Sequence, residues 1–107
     1  MYTLHFYADT HREELRNKFI YARSKNLPIF VTEFGVGRAD GDGEINDEET
    51  ELWMDLLNKE NISYIIWNLS NKKETSSILV PECKKASGFT DDDLSECGKR
   101  MKALMKR

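Results

Sequence analysis

Three β-favouring runs, each followed by a segment with helical spacing, constrain this chain more than any other feature. Tyr2–Tyr7 (YTLHFY), Pro28–Phe34 (PIFVTEF) and Ile62–Trp67 (ISYIIW) are rich in aromatic and β-branched residues and read as strands. Apolar residues then recur at helical spacing. They are Leu15, Phe19 and Ala22 in the first helix, Leu52, Trp53, Leu56 and Leu57 in the second, and Leu94, Met101, Leu104 and Met105 in the third. Thr10 with Glu13, Asn46 with Glu49 and Thr90 with Asp93 are each spaced as an N-cap and its acid three residues on. Asn26, with Pro28 beyond it, and Asn61 mark helix ends. The order βα, βα, βα predicts α/β architecture, with parallel strands joined by right-handed helical crossovers.

Such a sheet covered by helices on one side leaves its other face bare, whereas parallel sheets are normally covered on both. Side-chain alternation predicts that Ile29, Val31 and Glu33 share the bare face with Thr3, His5 and Tyr7 and with Ser63, Ile65 and Trp67. A mixed polar and apolar face with its reactive groups at the strand C-terminal ends is what one arc of a barrel interior looks like. The 107 residues supply one modest domain, against about 250 for a complete (β/α)₈ barrel. The expected architecture is therefore three consecutive βα units of an incomplete TIM barrel.

The net charge of −3, with cations scattered among acids, excludes a basic footprint for nucleic acid. No apolar run reaches the ~20 residues of a membrane-spanning helix. The N-terminus lacks a basic-then-apolar leader, so the chain is read as mature, cytosolic or a fragment. Cys83 and Cys97 lack CxxC neighbours and are too few for a scaffold, so two free thiols are expected.

Glu33 is the main candidate for chemistry. It ends an apolar run just before Phe34-Gly35, where burying a carboxylate is costly unless it is paired or hydrogen-bonded. His5 and Tyr7 end the first strand and Trp67 ends the third, so the three tips converge at one mouth. The acidic, glycine-rich stretch Asp40–Glu49 matches part of a calcium loop, with Glu49 at the twelfth position. Arg38 then stands at the first position, where a carboxylate is needed, so the stretch reads better as an exposed βα turn; no metal is assigned. GxSxG, GxxxxGK[ST] and HExxH are absent, and His11 is expected to be solvated.

The segments YTLHFYA, LPIFVTEFG, ISYIIWNLSNKKETS and DDDLSECGK, in that order, resemble the last part of a glycoside hydrolase family 5 cellulase. The resemblance implies that residues 1–107 are a C-terminal fragment of a catalytic domain, strands six to eight of a (β/α)₈ barrel that hydrolyses β-1,4-glucan with retention. It implies Glu33 as nucleophile with His5 and Tyr7 beside it, Trp67 as a sugar platform, and Lys72 and Glu74 as sugar contacts. It also implies no cofactor, a secreted parent enzyme, and a Met1 that is internal to a longer chain. The Asn-Glu-Pro motif that bears the family's acid/base is absent, so the isolated chain is expected to be inactive. The competing reading is a non-catalytic carbohydrate-binding or self-associating half-barrel. The bare face and open edges imply as partners a second copy or the N-terminal half of the barrel.

Overall fold

A computed structural model describes residues 1–106. β1 (Tyr2–Tyr7), β2 (Ile29–Gly35) and β3 (Tyr64–Ile66) form a parallel sheet in sequence order. α1 (Glu13–Ser24) and α2 (Asp47–Lys59) are the crossovers, and α3 (Glu96–Met105) follows β3 after a long connection.

The core lies between one sheet face and the helices, and aromatic rings dominate it. Phe6 of β1 stacks on Trp53 of α2, with centroids 4.0 Å apart, and on Phe34 of β2 at 5.2 Å. Phe19 of α1 meets Trp53 edge-on, and Tyr64 of β3 does the same to Phe34. Val31, Met54, Leu57 and Met101 are buried among them. On α2 the buried stripe runs through Thr50, Trp53, Met54 and Leu57, while Leu52 faces outward. Met105 of α3 is likewise exposed.

β2 corrects the expected alternation. Leu4 pairs with Val31 but His5 pairs with Glu33, so Thr32 is an extra residue. The same irregularity separates the Val31–Tyr64 pair from the Phe34–Ile66 pair. This β-bulge shifts the side-chain phase by one within the strand. Before it, Val31 faces the helices and is fully buried, not on the bare face with Glu33. After it, Phe34 and Val36 take over the helix side, which leaves Thr32 and Glu33 together on the open side.

The helix ends follow the sequence unevenly. Asn26 and Asn61 adopt left-handed conformations, φ 59° and 58°. Leu27 N–H reaches the Ala22 carbonyl and Ile62 N–H the Leu57 carbonyl, which are Schellman closures. Asn46 caps α2, accepting from Glu49 N–H at 3.0 Å. Thr10 does not cap α1, which starts after Arg12 without a side-chain cap. Its hydroxyl instead accepts from Ala39 N–H in the loop after β2. Thr90 and Asp93 do form a capping box, but on a single 3₁₀ turn, Asp91–Asp93. Leu94 then turns extended and bridges antiparallel to Leu79, so α3 begins later, capped by Ser95.

Gly98 on α3 packs directly against the Ile78 carbonyl, and a Cβ there would overlap that oxygen. The Ser70–Phe89 connection is thus clamped to α3. Cys83 and Cys97 are free and buried, and burial pushes the Cys97 thiol up to about 11. Beyond β3, Ile66, Ile78, Phe89, Leu94, Met101 and Met105 line an apolar groove of about 360 Å³.

Candidate active site

The open mouth of the sheet is built where β1, β2 and β3 end side by side. The bulge at Thr32 brings Glu33 round to that side, and the Tyr7 hydroxyl donates to Glu33 Oε2 at 2.9 Å. His5 approaches the same oxygen, Nδ1 at 3.6 Å, while its Nε2 lies 2.9 Å from the Thr32 hydroxyl. Three of the residues singled out in the sequence therefore meet around one carboxylate oxygen. The Glu33 side chain keeps 23% of its surface exposed, so the carboxylate is held yet reachable from solvent.

Tyr7 is seated with unusual closeness. Gly35 lies beneath its ring, and a Cβ on Gly35 would stand 2.6 and 2.7 Å from two ring carbons. From the other side, the Tyr7 backbone N–H donates to His11 Nδ1 at 2.9 Å, and the His11 carbonyl accepts from the Trp53 indole at 2.6 Å. His11 is thus half-buried and ties the end of β1 to the core, contrary to the expectation of a solvated side chain. Burial first, then the hydrogen bond to Glu33 and the negative charges of Glu33 and Glu74, raise the Tyr7 phenol above its ordinary range. It stays a neutral donor at any physiological pH.

Trp67 leaves β3 with its backbone N–H on the Phe34 carbonyl and its ring 45% exposed. Ile65 and Leu69, near it in sequence, are also exposed. Asn68 anchors the next turns, since its carbonyl accepts from Ser70 and Ile78 N–H groups. Lys72 and Glu74 lie on the connection beyond, paired at 3.3 Å, with Lys72 largely exposed and Glu74 mostly covered. Glu74 also accepts from the Ser76 hydroxyl at 3.2 Å. Its negative charge is the smallest of the influences that raise the Tyr7 phenol.

The acidic loop does not gather its carboxylates. Asp40 pairs with Arg38, Asp42 accepts from Thr75, and Glu49 pairs with Arg16 of α1. Among the described residues no three His, Cys, Asp or Glu side chains converge as metal ligands would. Thr32, Gly35, His11 and Asp42 support the mouth but carry no sequence signature.

A (β/α)₈ enzyme carries its reacting groups at strand C-termini, and known proteins resemble this chain in sequence and fold. The family model described as Cellulase (glycosyl hydrolase family 5) matches residues 1–73. Endoglucanase A of Butyrivibrio fibrisolvens is 47% identical over 97 residues, which cover 90% of this chain and 23% of that protein. Endoglucanase 5 of Pectobacterium carotovorum is 42% identical over 99 residues, covering 92% and 20%. The chain thus spans under a quarter of the length of these relatives. A solved chain from Cytophaga hutchinsonii superposes with a TM-score of 0.91 at 42% identity, covering 99% of this chain and 35% of that one. The catalytic domain of Thermobifida fusca endoglucanase Cel5A, solved with cellotetraose, gives 0.91 at 27% identity and covers 100% and 35%. Three βα units here correspond to about a third of those barrels, and the chain belongs to the cellulase family, glycosyl hydrolase family 5.

Proposed function

We propose that this chain forms the nucleophile side of a retaining endo-β-1,4-glucanase site, as the last three βα units of a larger catalytic barrel. The observation that carries this reading is the single oxygen of Glu33 held by Tyr7 at 2.9 Å and faced by His5 at 3.6 Å. One carboxylate oxygen is thereby fixed, and the group is oriented for attack on an anomeric carbon. Tyr7 remains protonated, so it donates to the ground-state carboxylate and can follow the charge as Glu33 forms a glycosyl ester. His5, tethered by Thr32, faces the same oxygen.

Retention needs a second carboxyl group about 5–5.5 Å from the first. That acid/base comes from an earlier strand of the barrel, outside these residues. Trp67 offers an exposed ring on which a pyranose stacks, and Lys72 and Glu74 contact sugars farther along the chain. The substrate is a β-1,4-glucan, and the parent enzyme is secreted. The isolated chain lacks general acid assistance, typically worth about 10²–10⁴-fold, and turns over no glucan.

The test has two arms. Pure 107-residue chain is assayed for reducing-sugar release from carboxymethylcellulose, with none expected; clear turnover refutes the one-sided site. In the complete catalytic barrel, Glu33→Gln keeps the shape and removes the nucleophile, so turnover is lost with folding intact. A variant that retains most of its rate overturns the role of Glu33.

A further inference from the structure

The connection that carries Lys72 and Glu74 has no helix or strand of its own. At Thr75 and Ser76 it is held by the glycine-rich loop after β2. Asp42 Oδ1 accepts from Thr75 N–H at 3.2 Å and from the Thr75 hydroxyl at 3.0 Å, the Gly43 carbonyl being that hydroxyl's alternative acceptor. Ser76 N–H donates to the Gly41 carbonyl at 2.9 Å. The left-handed glycines on either side, φ 88° at Gly41 and 87° at Gly43, turn the loop so that backbone and carboxylate face the same two residues. Closeness is enforced too, since a Cβ on Gly41 would stand 3.5 Å from both Glu74 carboxylate oxygens and 3.3 Å from Ser76 Oγ. Hydrogen bonds from Thr75 and Gly43, with the charge of Arg38 behind them, hold the Asp42 carboxyl below its ordinary range, so the clasp is ionised near neutrality.

We propose that Asp42 is a positioning residue for sugar recognition, acting through Thr75 to fix Glu74 and Lys72 at the mouth. The inference rests on the reading of Lys72 and Glu74 as sugar contacts. Asp42 lies in the loop that follows the strand of Glu33 and donates nothing to the reaction. Its influence falls on saccharides long enough to reach the Lys72–Glu74 connection, so the clasp sets the preference for longer chains.

The experiment uses the ¹⁵N-labelled complete catalytic barrel carrying Glu33→Gln, so that cellotetraose, the probe, is not consumed. Dissociation constants come from amide shift titrations, and loop order from heteronuclear relaxation at residues 71–76. Asp42→Ala is expected to mobilise those amides and weaken binding about fivefold or more, as for a charge-assisted pair of hydrogen bonds. Asp42→Asn, which keeps an acceptor for Thr75, restores loop order and most of the affinity. Thr75→Val, which removes the hydroxyl alone, is the second probe if Asp42→Ala fails to fold. Lys72→Ala and Glu74→Gln test the underlying reading. Should both bind like the barrel without them, or should that barrel not bind cellotetraose, the sugar-contact reading fails and takes this inference with it. If those two weaken binding while Asp42→Ala or Thr75→Val leaves it unchanged, the contacts stand and the role of Asp42 is overturned.

Discussion

Gly35→Ala tests how the mouth is assembled. A new methyl carbon would sit 2.6 and 2.7 Å from two carbons of the Tyr7 ring, where carbon pairs rest at about 3.5–4.0 Å. The ring must retreat by about 1 Å. Retreat carries the phenol off Glu33, because a 2.9 Å bond lengthened that far is no longer a hydrogen bond. Overpacking costs about 1–3 kcal/mol and a lost bond to a charged group about 1.5–3. The two describe one displacement, so the expected loss is about 2–4 kcal/mol rather than their sum. Urea unfolding measures it, and the Tyr7→Ala background isolates its cause. Without the ring there is nothing to strike, and Gly35→Ala should then change stability by less than about 0.5 kcal/mol. An equal loss in both backgrounds, or a negligible loss in the original one, refutes the close-approach argument. Ultraviolet titration of the phenols gives a second readout. Burial and Glu33 raise the Tyr7 phenol, so the folded state holds that proton more tightly than the unfolded chain. Its contribution to stability is complete below the ordinary value of 10.0 and is lost as pH rises beyond it. Gly35→Ala should bring the titration back toward that ordinary value.

Other expectations concern the rest of the surface and the acid limb. Trp67→Ala in the complete barrel should weaken oligosaccharide binding by about 1 kcal/mol or more through lost stacking, read by calorimetry; unchanged affinity would remove Trp67 from the sugar path. Asp93, hydrogen-bonded by Lys85 and by Thr90 N–H, is held down to about 2, so its contribution is present above pH 3.8 and fades as pH falls toward 2. Asp93→Asn should flatten that part of a stability-versus-pH curve, and an unaltered acid limb would show the pairing to be inconsequential. Exposed Ile65, Trp67 and Leu69, with the apolar groove beyond β3, should drive the isolated chain to self-associate at micromolar concentration. Sedimentation of a monodisperse monomer would contradict this.

Element type was legible because each element advertises itself by period and punctuation. β1 lies where its aromatic run lies, and Asn26 and Asn61 close their helices as such residues do when they tolerate positive φ. What failed depended on contacts distant in sequence. Thr10 is drawn away from α1 by Ala39, 29 residues later. The α3 start moves to Ser95 because Leu94 pairs with Leu79. The bulge at Thr32 is invisible in PIFVTEF, since strict alternation and a one-residue slip both place apolar side chains acceptably until the neighbouring strands fix the register. Glu33, His5, Tyr7 and Trp67 stood out as chemical groups at strand tips. Asp42, Gly35 and His11 did not, because their contribution is to hold other groups in place, and that is a property of proximity.

The extra residue at position 32 makes β2 two strands in series that keep independent phase. Upstream, the hydrocarbon layer dictates which side chains turn inward; downstream, the mouth does. Drawing Thr32 into a regular ladder would swing the carboxylate of Glu33 into the aromatic stack and push Phe34 into solvent unless Ile29 and Val31 changed sides instead, whereas deleting it would leave all four on their present faces. An irregularity that looks like a defect in the ladder therefore acts as a joint, which lets the core sequence drift without dragging the reactive end round with it.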